Sequence, residues 1–380
     1  MTDPHLILSV SLNGAGHHPG AWRAAHASRT QALSGAHYRD MARLAERGRL
    51  DMALLGYPPR GSALAPPTSA DAVRIDALSL AAALIAGTRQ IGLVAAAPAT
   101  YWEPFNIARS FSGLDNLSKG RAGWLVDAAW READFGNFSR LGDIDPATLP
   151  VRTREFLEVA YALWDSWEAG ALVFDKDEAI FTDHTKVHRI DHAGAFFKVE
   201  GPANSPRPPQ GRPLVVQIDA SPEGLELAAA TADVLIIRPL TMEDARLVTN
   251  AVKGRAAGLG RTLVVLADLM PVLDRGGETA VERLSALEAL GAGAQTEPLS
   301  FTGAAAELAD LIQAWTGFGA CDGFNLLPAT LPDDLEAFVT GVVPILRDRG
   351  LGAADYAGVT LREHLFLSQP ISRYGMSVHA

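Results

Sequence analysis

The stretch AHYRDMARLAERGRLDMALLG (residues 36–56) decides the fold class, because its hydrophobic period changes partway along. Tyr38, Met41, Ala42, Leu44 and Ala45 recur at intervals of three and four, which places them on one stripe of a helix. The period stops at Gly48, and a short apolar run, Met52 to Leu55, takes over. A run of that kind reads as a strand buried on both faces, as in a parallel sheet.

Working outward, the same alternation fills the chain. Strand-like runs stand at 6–10 (LILSV), 51–56 (DMALLG), 91–96 (IGLVAA), 123–127 (GWLVD), 214–219 (LVVQID), 233–238 (DVLIIR), 263–269 (LVVLADL) and 323–327 (GFNLL). Helical patterns such as 154–167 and 335–350 lie between them. Eight strands, nearly all followed by helices, predict a parallel α/β protein. At 380 residues a (β/α)8 TIM barrel is favoured over a doubly wound sheet, as a single domain over 1–380. Residues 170–212 break the rhythm: they are rich in Gly and Pro and lack a helical period. They read as an extended insertion after the fourth helix, lying across the C-terminal mouth. PPRGSALAPPTSA (58–70) reads as a second mouth loop, and the tail 361–380 as a peripheral segment.

Composition excludes several classes. A net charge of -11, with acidic and basic residues mixed along the chain, argues against a nucleic-acid groove and gives no polybasic membrane patch. The lone Cys321 rules out an intrachain disulfide and a multi-cysteine zinc site. No apolar run reaches the roughly 18 residues of a membrane span, and the N-terminus has no basic leader, so a cytoplasmic protein is expected.

Candidate sites follow from position in the barrel. Ser221 reads as an N-cap, with Pro222 at the first helical position, giving a helix start after a strand that could hold an anion. Read otherwise, it is a well-capped helix, and Asp219 and Glu223 weigh against an anion there. His184, His188 and His192 have helical metal-ligand spacing but lie in the non-helical insertion, so no metal site is expected. His17 and His18, in a Gly-rich loop after the first strand, stand where barrel enzymes keep substrate groups, or cap a turn. Walker, GxSxG and dinucleotide fingerprints are absent: GRAAGLG (254–260) has the wrong spacing and precedes a strand.

Longer motifs carry a resemblance. HPGAWR (18–23), ARLAERGRLDMALL (42–55), TYWEPFNIAR (100–109), LDNLSKGRAGW (114–124), LWDSWE (163–168) and the run 186–217 resemble the bacterial luciferase superfamily of flavin-dependent monooxygenases. The likeness is to the branch with nitrilotriacetate monooxygenase, dibenzothiophene-sulfone monooxygenase and pristinamycin synthase, and it runs nearly end to end. It implies a two-component enzyme in which reduced FMN, supplied by a separate NAD(P)H-flavin reductase, reacts with O2 to oxygenate a small organic substrate. It also implies a homodimer or homotetramer. Carried over by position, the flavin would meet Tyr57, Ala96, Leu125, Asn137 and Pro150, with Ser221 and the Gly224 backbone at its phosphate. His18 and Trp22 would face the substrate as catalytic residues.

Several of these positions depart from the family pattern. Tyr57 replaces an aspartate, AAAPAT (95–100) replaces a Thr/Ser-rich run, and Leu125, Asp127, Ala128 and Ala129 replace polar residues. Pro146 and Pro150 stand for His and Tyr, and Asp219 for Gly. Losing about five polar contacts at ~0.5–1.5 kcal/mol each corresponds to roughly 10²–10⁵ in dissociation constant. A flavin-free or weakly flavin-binding, non-catalytic paralogue therefore stands as the alternative.

Overall fold

The computed structural model describes residues 6–24, 27, 30–57, 73–127, 144–218, 221–291 and 299–374. Strands β1 (Ile7–Leu12), β2 (Met52–Leu55), β3 (Gly92–Pro98) and β4 (Ala122–Asp127) alternate with helices α1 (Gly35–Arg47), α2 (Ala77–Ile85), α3 (Pro104–Ser118) and α4 (Leu149–Asp165). Two antiparallel hairpins then intervene, β5 (Leu172–Asp175) with β6 (Ile180–Thr182) and β7 (His192–Ala193) with β8 (Lys198–Val199). The alternation resumes with β9 (Leu214–Ile218), α5 (Pro222–Thr231), β10 (Val234–Ile237), α6 (Met242–Gly258), β11 (Val264–Leu273) and α7 (Ala280–Leu290). An edge strand β12 (Ser300–Gly303), α8 (Ala305–Gly317) and β13 (Gly323–Leu326) follow, and then α9 (Asp333–Ala337), α10 (Val343–Asp348) and α11 (Leu361–His364). The ring β1–β2–β3–β4–β9–β10–β11–β13 is parallel throughout and closes where β13 pairs with β1. The eight strands expected from the sequence are the eight staves of this barrel.

Strand alternation divides the core into two shells. Leu8, Val10, Ala53, Leu55, Leu93, Ala95, Trp124, Val215, Leu235 and Phe324 point outward against the helices. Ile7, Met52, Leu54, Val94, Leu125, Val216, Ile236 and Leu266 fill the inside. Trp124 anchors the outer shell: its ring packs against Phe111, Phe156 and Trp164 at 5.7–6.5 Å between centroids, and its Nε1–H donates to the Ala97 carbonyl at 3.0 Å.

The insertion does not lie across the mouth. Barrel helices run antiparallel to the strands, so α4 ends at the N-terminal face of the barrel, and a segment joining α4 to β9 begins and ends there. From that face it climbs the outside of α3 and α4. Arg207 and Arg212 bond the fully buried Asp165, the Gln210 amide donates to Asp115, and Ser205 meets Ser112. The turn at Phe196–Phe197 donates two backbone N–H groups to Glu155. At its highest point the Phe197 ring lies under the Arg152 guanidinium, whose Nη1 donates to the Ala99 carbonyl just past β3.

The tail is not peripheral over its first half. Leu361, Leu365 and Leu367 join the inner-shell cluster, and Arg362 and His364 are buried with them. Leu361 sits so close beneath β3 that a Cβ on Gly92 would lie 2.5 Å from its Cδ1. Arg362 forms a two-pronged pair with Asp233 at 2.9 and 2.7 Å, tying the tail to the start of β10. Hydrophobic side chains spaced four and two apart thus plug the barrel floor, while the Arg362 charge between them finds a buried partner in Asp233. Residues 375–380 lie outside the described ones, as does the loop at 58–70.

Candidate active site

The C-terminal ends of the barrel strands carry the residues singled out from the sequence, and the loop after β1 shows why two adjacent histidines differ. Gly16 has φ +128°, and a side chain there would collide with the backbone of Ala329 and Thr330. That close approach lets the His17 and His18 N–H groups donate to the Pro328 and Ala329 carbonyls, 2.8 and 3.1 Å away. The two side chains then diverge. His17 turns inward, with Nε2 donating to the Ser11 carbonyl at 3.0 Å and its ring edge-on to Tyr57 at 6.4 Å. His18 turns away and is buried against the C-terminal end of α7, its Nδ1 accepting the Gly20 N–H at 3.0 Å. Burial lowers its pKa, partly offset by Glu288 and Asp334. It is the turn-capping histidine, and Trp22, 52 % exposed on a short 3-10 turn, is not brought to it inside the barrel.

Tyr57, two residues past β2, is buried in the inner shell, and its hydroxyl donates to Asp268 Oδ2 at 2.6 Å. The Arg238 Nε donates to the same oxygen at 2.8 Å, and its guanidinium lies over the Tyr57 ring at 5.2 Å. Asn325 Nδ2 donates to Asp268 Oδ1 at 2.7 Å and to Ser11 Oγ at 3.1 Å, while Ser9 Oγ donates to Asn325 Oδ1 at 2.9 Å. Burial pushes the Asp268 carboxyl up and the Tyr57 phenol well above its ordinary value, so the phenol keeps its proton. Burial opposes the Arg238 charge, but Tyr57 and Asp268 outweigh it and raise its pKa. Sequence reading missed Asp268 and Arg238. The available signal was a charged residue breaking or ending an apolar barrel strand, as in LVVLADL and DVLIIR.

Leu125 and Ala96 are register partners on β4 and β3, and Leu125 pairs with Val216 of β9. With Leu54 and Val94 they make an apolar wall opposite the Asp268 cluster. Ser221 caps α5, its Oγ accepting the Gly224 N–H at 3.1 Å. Pro150 is exposed in the first turn of α4, and Pro146 in the turn before it. Asn137, Asp219 and the Asp127 side chain lie outside the described residues. The histidines of the insertion do not converge: His188 bonds Glu168 at 2.6 Å, His192 bonds Glu155 at 3.0 Å, and His184 opens a 3-10 turn. A cavity of about 560 Å³ between α2 and α3, lined by Leu78, Trp102, Arg109 and Leu117, opens on the outer surface and is not part of the mouth.

These residues fit a flavin in one respect: the start of α5 after a barrel strand turns first-turn helix N–H groups toward a phosphate, while Leu54, Val94 and Leu125 are packed inside the barrel.

Residues 14–331 match the family model for luciferase-like monooxygenases. The chain is 33 % identical to the N-acetyl-S-(2-succino)cysteine monooxygenase of Bacillus subtilis, over 97 % of this chain and 98 % of that one. It is 34 % identical to nitrilotriacetate monooxygenase component A of Aminobacter aminovorans, over 96 % and 97 %. Among solved structures it superposes on a long-chain alkane monooxygenase with a TM-score of 0.87 at 26 % identity, covering 96 % of each chain. With the closed barrel and the strand-end site already described, the chain belongs to the luciferase-like monooxygenase family and is an oxidoreductase of that class.

Proposed function

We propose that this chain is the oxygenating component of a two-component system. It would take reduced FMN from a separate NAD(P)H-flavin reductase in the cytoplasm and insert one oxygen atom of O2 into a small organic substrate. The observation that carries this reading is the family match over residues 14–331 together with 33–34 % identity to named monooxygenases over nearly the whole chain. The designation "component A" of the Aminobacter relative supports a separate second component. When bound, the flavin supplies the oxygen-activating chemistry, so no side chain here needs to be a strong nucleophile.

The chain's own residues bind, orient and exclude water. Ser221 and the Gly224 region of α5 hold the phosphate, and the helix start favours its negative charge. Leu125, Ala96 and Val94 back the ring and keep water from it. Tyr57 limits the depth of the site, since its ring is fixed between Arg238 and His17. His18 serves as a positioning residue that holds the His17 loop, and Trp22 and Pro150 belong to the rim. The assembly is a homodimer or homotetramer.

Anaerobic titration of the purified protein with reduced FMN tests the reading. Saturable binding in the micromolar to sub-millimolar range is expected, with a Ser221→Ala variant weakened by about 3- to 10-fold. No saturation by about 1 mM would overturn the proposal and leave a non-catalytic barrel.

A further inference from the structure

The segment that plugs the barrel floor carries an imidazole without a hydrogen bond. His364, the last residue of α11, is 1 % exposed, and neither of its ring nitrogens has a hydrogen-bond partner. Its ring lies against Tyr356, 4.8 Å between centroids. The polar groups around it are engaged elsewhere. At the start of β2 the Asp51 carbonyl accepts the Gly92 N–H at 2.9 Å, and an Asp51 carboxylate oxygen accepts the Leu8 N–H at 2.8 Å. Before β4, Arg121 donates to the Ile91 carbonyl at 2.9 Å. On α11 itself, the Glu363 carboxylate accepts the Val359 and Thr360 N–H groups at 2.7 Å. The Tyr356 hydroxyl donates to the Leu50 carbonyl at 2.8 Å, with the Arg49 guanidinium over its ring and the Glu46 carboxylate turned to the backbone of Gln90 and Ile91. A neutral imidazole sits here with one N–H unmet. An imidazolium would add a second unmet N–H and a full charge.

We infer that His364 is the pH-sensing part of a latch on the barrel floor: when its ring takes a second proton, the plug Leu361–Leu367 leaves the floor, and when that proton is lost the plug returns. The Arg362–Asp233 pair is the other part of the same latch. Burial lowers the His364 pKa; Asp51 and Glu363 oppose this without outweighing it, Arg121 adds to it, and the Asp51 carbonyl opposes it least. A histidine depressed in the folded state stabilises the closed plug above its unfolded value of 6.5, and that contribution is lost as pH falls below it. Each pH unit below that value multiplies the opening constant by up to about ten. Asp115 reaches the plug through Gln210, which accepts the Arg362 N–H, and it titrates in the same window with the opposite sign. Whole-molecule stability therefore masks the latch, and a local readout is needed.

The test is hydrogen–deuterium exchange of the purified protein at pH 7.5 and pH 5.5, read by mass spectrometry on peptides from the plug and from β10. His364→Phe keeps a ring against Tyr356 and cannot take a proton. The wild-type-to-variant ratio of exchange rates at each pH cancels the intrinsic pH dependence of exchange. For the plug that ratio should rise about 5- to 10-fold from pH 7.5 to pH 5.5, while for β10 it stays within about 2-fold. An unchanged plug ratio overturns the inference. So does an equal rise in β10, which would mean that the barrel opens as a whole. Should His364→Phe fail to fold, His364→Leu takes its place. Should both fail, plug protection in the wild type, corrected for intrinsic exchange, must fall by the same factor relative to β10, and a constant value overturns the inference.

Discussion

Replacing Arg362 by Met removes the charged fork that joins the tail to the barrel and leaves a side chain of similar reach. Both Arg362 and Asp233 are nearly enclosed, at 5 % and 12 % side-chain exposure, and the pair is two-pronged. Removing one partner of a buried pair typically costs 3–5 kcal/mol, because the other charge is left without compensation. Asp233 keeps the Val215 N–H at 2.9 Å, and Arg261 lies 3.9 Å away, so the lower end applies, about 3 kcal/mol. With an unfolding entropy of about 2.1 cal/mol/K per residue, a 380-residue chain loses about 4 °C in melting temperature. The assay is thermal and urea unfolding of the flavin-free protein, run as a double-mutant cycle with Asp233→Asn. The cycle should return a coupling of about 1–3 kcal/mol. A change within about 0.5 kcal/mol, the range of ordinary surface substitutions, would show that the tail is not part of the fold and refute the floor-plug argument.

Three further outcomes follow from the packing. Asp115 is buried beside Gln210, and burial raises its pKa from 3.8 to about 6 although the Gln210 and Ala122 N–H groups oppose the rise. A carboxyl raised in the folded state contributes stability below its unfolded value that is lost as pH rises through about 6. The stability of Asp115→Asn relative to wild type should therefore grow by up to about 3 kcal/mol between pH 4 and pH 7 in urea titrations, and a flat difference refutes it. Gly92→Ala places a methyl group against Leu361 and should cost about 1–3 kcal/mol in thermal unfolding, with much of that loss recovered in a Leu361→Ala background. Burial alone would raise the Glu155 carboxyl, but His192 and the Phe196 and Phe197 N–H groups outweigh it and hold it below its usual value. Glu155→Ala should free that turn and speed tryptic cleavage at Lys198 on the order of 10-fold, while an unchanged rate would show that the turn is held elsewhere.

The barrel was legible because its strands are buried on both faces. GWLVD and LVVLADL carry apolar residues at successive positions, which only a sheet packed inside and outside can accept. The tail was not legible for the complementary reason. In LREHLFL the charges of Arg362 and His364 read as solvent-facing, and the partner that lets Arg362 be buried, Asp233, stands 129 residues away. Long-range pairing of that kind leaves no trace in local periodicity. The insertion was legible as a break in composition, but its side of the barrel follows from connection type: a segment joining a helix to the next strand begins and ends at the floor.

At the site the same distinction decides which residues could be named in advance. Ser221 carries a local signature, a cap followed by proline, and the structure uses it as a cap. His17 and His18 carry identical local signatures, and their different fates depend on Gly16 meeting the backbone of Ala329 and Thr330 from the far end of the chain. Tyr57 was visible both as a position the flavin would meet and as a departure from the pattern that the resemblance implies. Its partners give it another meaning. A phenol on β2's far end reaches Asp268 on β11, which holds Arg238 on the adjacent β10, so one departure belongs to a linked set of three side chains. A set that stays hydrogen-bonded inside an apolar barrel is hard to reach by neutral loss, because any one member without the others leaves a buried charge or hydroxyl unmet. The apolar residues Ala96 and Leu125 and the charged network facing them are two halves of one barrel interior, and the network persists because its members satisfy one another.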